Sequence, residues 1–158
     1  MAVFPPEAAR EDLRRRLPPG ARFARPSKWH VTLAFLGEVD DFRVPDAADA
    51  LATLPAPRPF RLRLTGCGRF GSVVWTGVRG DLGRLTELRE SVRLALATAG
   101  FPIDPRPFRP HLTLSYRPEP TLLPALDGYT GPDWPIPGFA LVQSLQGNYE
   151  TLQTWPTP

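Results

Sequence analysis

The segment HVTLAFLG at residues 30–37 begins with His-x-Thr-Leu, a phrase that occurs once more in the chain, in HLTLSY at residues 111–116. The chain holds 2 histidines, and each is followed by any residue and then by Thr-Leu. Chance would place that phrase after one given histidine about once in a hundred times, and after both about once in ten thousand. This repeat indicates that the two segments share a structural and chemical role.

Both segments alternate apolar and polar residues, as half-buried strands do. Side chains two positions apart in a strand point to the same face. His30 and Thr32 therefore share a face, and so do His111 and Thr113. The opposite face is predicted to enter the core and carries Val31, Leu33, Phe35, Leu112, Leu114 and Tyr116. The two strands thus present two imidazoles and two hydroxyls to a common surface outside the core.

The rest of the chain predicts an α+β fold. Helices are expected over residues 7–17, 46–54 and 81–99, and strands over residues 1–4, 60–65, 73–78, 139–145 and 149–155. The last two strands flank Gln-Gly-Asn and form a hairpin. A repeated unit with segregated helices indicates two pseudo-symmetric lobes of antiparallel sheet with outer helices, and a catalytic cleft between them. We expect residues 1–158 to form one such bilobal domain.

Composition narrows the class of protein. The apolar share of 42% and the charged share of 22% are ordinary for a globular domain. No apolar run is long enough to span a membrane, and the amino terminus lacks a signal sequence, so we expect a cytoplasmic protein. We also expect a monomer. The single cysteine, Cys67, permits no internal disulfide. Two histidines and one cysteine make a poor zinc set, and no metal ion or cofactor is expected.

The net charge of +3 is compatible with an anionic substrate. Basic residues precede both histidine segments, and arginine suits phosphate because its planar fork donates two hydrogen bonds at once. These residues are Arg22, Arg25, Lys28, Arg106 and Arg109.

The four paired side chains suggest acid–base chemistry on a phosphate. Two imidazoles that titrate near neutrality can take a proton from water and give one to a leaving oxygen without a metal. The hydroxyls of Thr32 and Thr113 can hold non-bridging phosphate oxygens and stabilise the charge that builds up on them.

HVTLAFLG and FRPHLTLSY, 81 residues apart from His to His, resemble the paired HxTL signatures of the two-histidine (2H) phosphoesterase superfamily. Within it, the chain is most similar to the RNA 2′,3′-cyclic phosphodiesterases, also called 2′-5′ RNA ligases. The opening AVFPPEAAREDLRRRL, GRFG followed by VVWTGV, and the ending VQSLQGNYETLQTWP are similar too. The resemblance implies that His30 and His111 hydrolyse a 2′,3′-cyclic phosphate at an RNA end to a 2′-phosphomonoester. Reversible 2′-5′ ligation uses the same pair.

Within this mechanism, we assign His30 as the acid for the leaving oxygen and His111 as the base for water, although pseudo-symmetry does not orient the substrate. Many relatives carry an arginine where this chain has Tyr116. Strict alternation would put Arg117 on the face of His111 instead, where it could contact phosphate; a bulge would remove that inference.

Two aromatic residues near the motifs are candidates for stacking a nucleobase. Phe70, in the glycine-rich segment GCGRFGS, is the better one. Trp29 lies on the parity opposite to His30 and is expected in the core.

Two other functions fit the same residues. One is a phosphodiesterase acting on a small cyclic phosphate, such as ADP-ribose 1″,2″-cyclic phosphate, or on a 2′-5′ oligonucleotide. The other is a catalytically weak RNA-binding module, against which the intact His and Thr pairs weigh.

Overall fold

An eight-stranded antiparallel sheet forms the centre of the computed structural model, which describes residues 1–156. The strands are β1 (Ala2–Val3), β2 (Val31–Thr32), β3 (Arg61–Phe70), β4 (Val73–Gly80), β5 (His111–Ser115), β6 (Trp134–Pro135), β7 (Gly138–Leu145) and β8 (Asn148–Pro156). The helices are α1 (Glu7–Arg16), α2 (Val44–Ala52), α3 (Leu82–Thr98) and α4 (Leu122–Ala125), with 3₁₀ turns at Pro26–Lys28 and Asp41–Arg43.

The strand order is β6-β3-β4-β5-β2-β1-β7-β8. Each half of the sheet consists of four neighbouring strands, one of which carries an HxTL segment, and β2 meets β5 at the centre through Val31 and Leu112. The predicted α+β class, with its antiparallel strands and its two related halves, is therefore confirmed. The extent of the predicted domain stays a prediction, since residues 157–158 lie outside the described part.

Helix α3 shows how the local sequence fixes an element. Its buried residues recur at steps of three and four and face the sheet as one stripe. The helix ends because Gly100 adopts φ +78°, a left-handed conformation that glycine accepts without strain. The amide of Phe101 then donates to the Leu96 carbonyl and closes the last turn.

The predicted core face of the two histidine strands is right at four positions and wrong at two. Val31, Leu33, Leu112 and Leu114 are buried, whereas Phe35 is 74% exposed and Tyr116 is 61% exposed. Each of these two lies beyond the end of its strand, because β2 ends at Thr32 and β5 ends at Ser115.

A β-bulge in β5 explains why alternation fails there. Trp75 is paired with Thr113, but the next pair joins Val74 to Ser115, so β5 gains one residue relative to β4. Leu114 and Ser115 are consequently both buried, although they are adjacent in sequence.

The closing hairpin of β7 and β8 is confirmed. Its two-residue turn consists of Gln146 at φ +48° and Gly147 at φ +77°, and both signs match the turn type that joins twisted antiparallel strands tightly. Among the helices of residues 1–156, none has the length and apolar character needed to span a membrane.

Candidate active site

The central pair of strands brings the four predicted chemical groups together. The antiparallel pairing of β2 with β5 sets His30 across from Thr113 and Thr32 across from His111. The residues between them point into the core, so all four side chains face the opposite side of the sheet. Each imidazole therefore lies beside the hydroxyl of the other strand.

The backbone holds both imidazoles in the same way. Nδ1 of His30 lies 2.7 Å from the Lys28 carbonyl oxygen, and Nδ1 of His111 lies 2.6 Å from that of Arg109. A carbonyl can only accept, so each Nδ1 carries its hydrogen and donates it. This fixes the tautomer of the neutral ring and leaves Nε2 of both residues as the nitrogen that can accept a proton.

His30 contacts two aromatic rings. The centroid of Phe4 is 5.7 Å from that of the imidazole, and Tyr149 approaches it edge-on at 5.4 Å. Phe4 follows β1, which is the neighbour of β2, whereas Tyr149 belongs to the distant strand β8. These rings cover the imidazole and reduce its contact with water.

Burial lowers the pKa of His30, although its hydrogen bond to Lys28 acts in the opposite direction. The charges of the Met1 amino group and of His111 lower that pKa further. A lowered pKa favours the neutral imidazole, which is the form that a general base needs. This direction runs against the assignment of His30 as the acid.

His111 also contacts two aromatic rings. Phe70 lies edge-on at 5.2 Å and Trp75 at 6.2 Å, and these two rings are 5.1 Å apart. Phe70 is the last residue of β3 and is 38% exposed, so the structure places it beside the predicted catalytic residue. That it stacks on a nucleobase stays a prediction.

A cavity of about 540 Å³ opens beside His111. Its wall combines aromatic rings with two guanidinium-bearing residues, a composition suited to a base and an anionic group. These wall residues are Phe70, Trp75, Phe108, Arg79 and Arg109.

Trp75 and Tyr149 are site residues that the sequence analysis missed. The strand alternation could have identified Trp75, because its neighbours Val74 and Thr76 are buried and Trp75 therefore points to the other face. This is the face of Thr113, with which Trp75 is paired. For Tyr149 the local sequence carries no comparable signal, because its contact depends on the path of a hairpin. Trp29, in contrast, is fully buried as predicted.

The phosphate contact of Arg117 was predicted from strict alternation along the strand, and that alternation is wrong at this position. β5 contains a bulge and ends at Ser115, so alternation does not extend to Arg117. The chain instead turns, and the Ser115 hydroxyl donates to the Arg117 carbonyl at 2.9 Å. The side chain of Arg117 is exposed and makes no ion pair within residues 1–156. A contact with substrate stays a prediction without that support.

The basic residues before the two motifs have separate surroundings. The Lys28 ammonium donates to the Gly147 carbonyl, and Arg106 pairs with Asp104. Arg109 lines the cavity and holds His111 through its carbonyl. The remaining two, Arg22 and Arg25, are exposed.

Cys67 is half-buried, and its thiol lies 3.3 Å from the Leu123 carbonyl, to which it donates. Burial raises the pKa of this thiol, and a structural role is consistent with that. Over residues 1–156, no three side chains of His, Cys, Asp or Glu come together as metal ligands would.

Comparison with known proteins identifies the family. Residues 4–147 match the 2′-5′ RNA ligase superfamily. The chain is 38% identical over 162 aligned positions to an RNA 2′,3′-cyclic phosphodiesterase of Thermus thermophilus, covering 90% of this chain and 79% of that protein. It is 40% identical over 93 positions to a protein of the same name from Geobacillus stearothermophilus, covering 55% of this chain. That stretch is 29% of the Geobacillus protein, so the chain spans less than a third of that relative's length.

Structural comparison gives the same result over the whole described fold. A crystal structure of Escherichia coli LigT complexed with 3′-AMP aligns with a TM-score of 0.78 and 27% identity, covering 99% of this chain and 95% of that one. The resemblance based on the paired HxTL segments is therefore confirmed, and the chain belongs to the 2′-5′ RNA ligase superfamily.

Proposed function

We propose that this protein is an RNA 2′,3′-cyclic phosphodiesterase that hydrolyses cyclic phosphate ends to 2′-phosphomonoesters. The observation that carries the proposal is the register of β2 with β5, which sets each imidazole across from a hydroxyl on one face. The Thermus and Geobacillus relatives are named for this activity, and the similar LigT structure holds 3′-AMP. RNA as the partner, a monomeric state and a cytoplasmic location remain predictions.

The spacing of the four groups suits a phosphate between them. Side chains directly opposite in an antiparallel pair have Cβ atoms about 4.5–5.5 Å apart, and diagonal neighbours lie at about 7–8 Å. His30 and His111 are diagonal neighbours, as are Thr32 and Thr113. A phosphate at the centre would meet an imidazole at each of two corners and a hydroxyl at each of the other two.

The reaction then needs only the two Nε2 atoms. A neutral imidazole takes a proton from water while the water oxygen forms a bond to phosphorus. The bond from phosphorus to the 3′ oxygen breaks. The other imidazole, which begins the step protonated, gives its proton to that oxygen. The product carries a 2′-phosphate and a 3′-hydroxyl, and proton exchange with solvent restores both imidazoles.

The threonine hydroxyls act on the charge that develops during this step. In the pentacoordinate state the non-bridging oxygens gain negative charge, and a hydroxyl that donates to them stabilises this state more than the ground state. The cavity beside His111 would hold the terminal nucleoside, with its base against Phe70; such stacking is worth about 1–3 kcal/mol per base.

The test is hydrolysis of an oligoribonucleotide with a 2′,3′-cyclic phosphate end, in the presence of a chelator. We expect the wild type to release a 2′-phosphate end, identified by phosphorus NMR, and His30→Ala and His111→Ala to lose about 10²–10⁴-fold in rate. Phe42→Ala is the matched control, because this side chain is 78% exposed and is not part of the site.

Other outcomes point to the two alternatives. Turnover of ADP-ribose 1″,2″-cyclic phosphate or of a 2′-5′ oligonucleotide, without turnover of the RNA end, would move the proposal to another substrate. Salt-sensitive RNA affinity without any product would indicate a binding module.

A further inference from the structure

The end of the β7–β8 hairpin makes no strand pairing with the rest of the described sheet. The pairing of β1 with β7 is at Ala2 and Ala140, and within the described chain residues 142–151 pair only with each other. A bulge between the pairs at Leu141 and Val142 bends the hairpin at the same place. We call residues 142–151 the hairpin arm.

The arm reaches the catalytic face through Tyr149. The ring of Tyr149 meets His30 edge-on at 5.4 Å, and the Lys28 ammonium lies 5.7 Å from its centroid. Tyr116, which follows β5, lies near Tyr149: burial raises the pKa of its phenol to about 12, and the Tyr149 hydroxyl acts in the same direction. Tyr149 therefore contacts groups that precede or follow both histidine strands.

Lys28 is hydrogen-bonded both to the hairpin arm and to His30. Its ammonium donates to the carbonyl of Gly147 at the turn of the arm, while its own carbonyl accepts from Nδ1 of His30 at 2.7 Å. The hydrogen bond holds one edge of the imidazole, and the Tyr149 ring restricts its rotation from another side. The Tyr149 side chain is half-buried on an edge strand whose neighbouring residues, Asn148 and Glu150, are exposed.

We propose that Tyr149 is a positioning residue for His30, held in place by Tyr116 and Lys28, so that Nε2 of His30 stays aimed at the phosphate. This inference rests on the proposed function, in which His30 exchanges a proton with the substrate. The proposal gives the hairpin arm a functional role, although the arm makes no strand pairing with the rest of the described sheet.

The histidine count makes the proposal testable without substrate, because NMR of the ring protons then follows 2 titrations only. Burial is the main cause that lowers the pKa of His30. The charged groups around it are the Met1 amino group, His111 and Lys28, whose ammonium lies against the Tyr149 ring, and a change at Tyr149 removes none of these charges. A shift in the His30 titration would therefore report on the tyrosine ring.

The variants are Tyr149→Ala, which removes the ring, Tyr149→Phe, which keeps it, and Tyr116→Phe, which removes only the hydroxyl partner. Leu152→Ala on the same strand is the control, with a side chain 39% exposed. We expect Tyr149→Ala to raise the pKa of His30 towards about 6.5. For hydrolysis of the cyclic-phosphate oligonucleotide, we expect kcat to fall about 10–100-fold with little change in KM.

Tyr149→Phe should keep the lowered His30 titration and most of kcat, and Tyr116→Phe should lose less than Tyr149→Ala. The proposal is overturned if Tyr149→Ala lowers thermal stability but leaves the His30 titration and kcat unchanged, since the ring would then be merely structural. Because the titrations need no substrate, failure of the wild type to hydrolyse RNA ends would count against the proposed function alone.

Discussion

Thr32 and Thr113 differ from the other threonines in having a histidine directly opposite on the neighbouring strand. Each faces the imidazole of the neighbouring strand on the face away from the core. Thr76 on β4 shows the contrast, because it is fully buried and donates to the Gly66 carbonyl at 2.8 Å. Strand propensity alone would explain Thr76, whereas the other two hydroxyls remain available to a ligand.

We expect Thr32→Val and Thr113→Val each to lower kcat by about 10²-fold, because valine keeps the shape and removes the donor to a charged oxygen. KM should change much less, since the lost interaction is strongest in the transition state. Steady-state kinetics on the cyclic-phosphate oligonucleotide measures both. Thr86→Val, at an exposed position of α3, is the matched control, and full kcat in either site variant would contradict the assigned role.

Strands β3 and β4 form the wall of the cavity, and a glycine on β3 leaves room there for a tryptophan ring of β4. A Cβ added to Gly68 on β3 would lie 2.2 Å from the Trp75 ring on β4. Trp75 therefore lies directly on the backbone of β3, where it touches Phe70 and approaches His111. The glycine in this strand is needed for the close approach of the ring.

Gly68→Ala should destabilise the protein by about 1–3 kcal/mol, because the Trp75 ring must move within a packed wall. Gly83→Ala is the matched control: a Cβ there meets nothing within 4 Å, so this change near the start of α3 should not destabilise the protein. Urea denaturation of both variants measures the difference. Equal effects of the same sign would show that Trp75 does not depend on Gly68.

At the scale of the whole molecule, the two halves join in the sheet where β2 pairs with β5, next to all four chemical groups. The site is therefore a property of the joined halves, since each supplies one imidazole and one hydroxyl. This arrangement explains why the sequence repeats its short phrase: the same local strand is needed once in each half.

Much of the fold and of the candidate site could be predicted because the sequence patterns that indicate them are local. Alternation over four residues places each His beside its Thr, and the apolar stripe of α3 is likewise local. The bulge in β5 could not be predicted, because it depends on how β4 pairs with residues around Leu114. The contact of Tyr149 with His30 depends on the bend of the hairpin arm, which single-sequence patterns do not encode.

The pH dependence of kcat/KM for the cyclic-phosphate oligonucleotide tests directly whether the two imidazoles work as an acid and a base. We expect a bell-shaped profile whose two limbs lie between about pH 5 and 8, where imidazoles titrate. Because the pKa of His30 is lowered, its neutral form persists to lower pH. If His30 is the base, the acidic limb lies below about pH 6.5 and matches its titration by NMR. A flat profile, or a single limb outside that range, would contradict catalysis by the histidine pair.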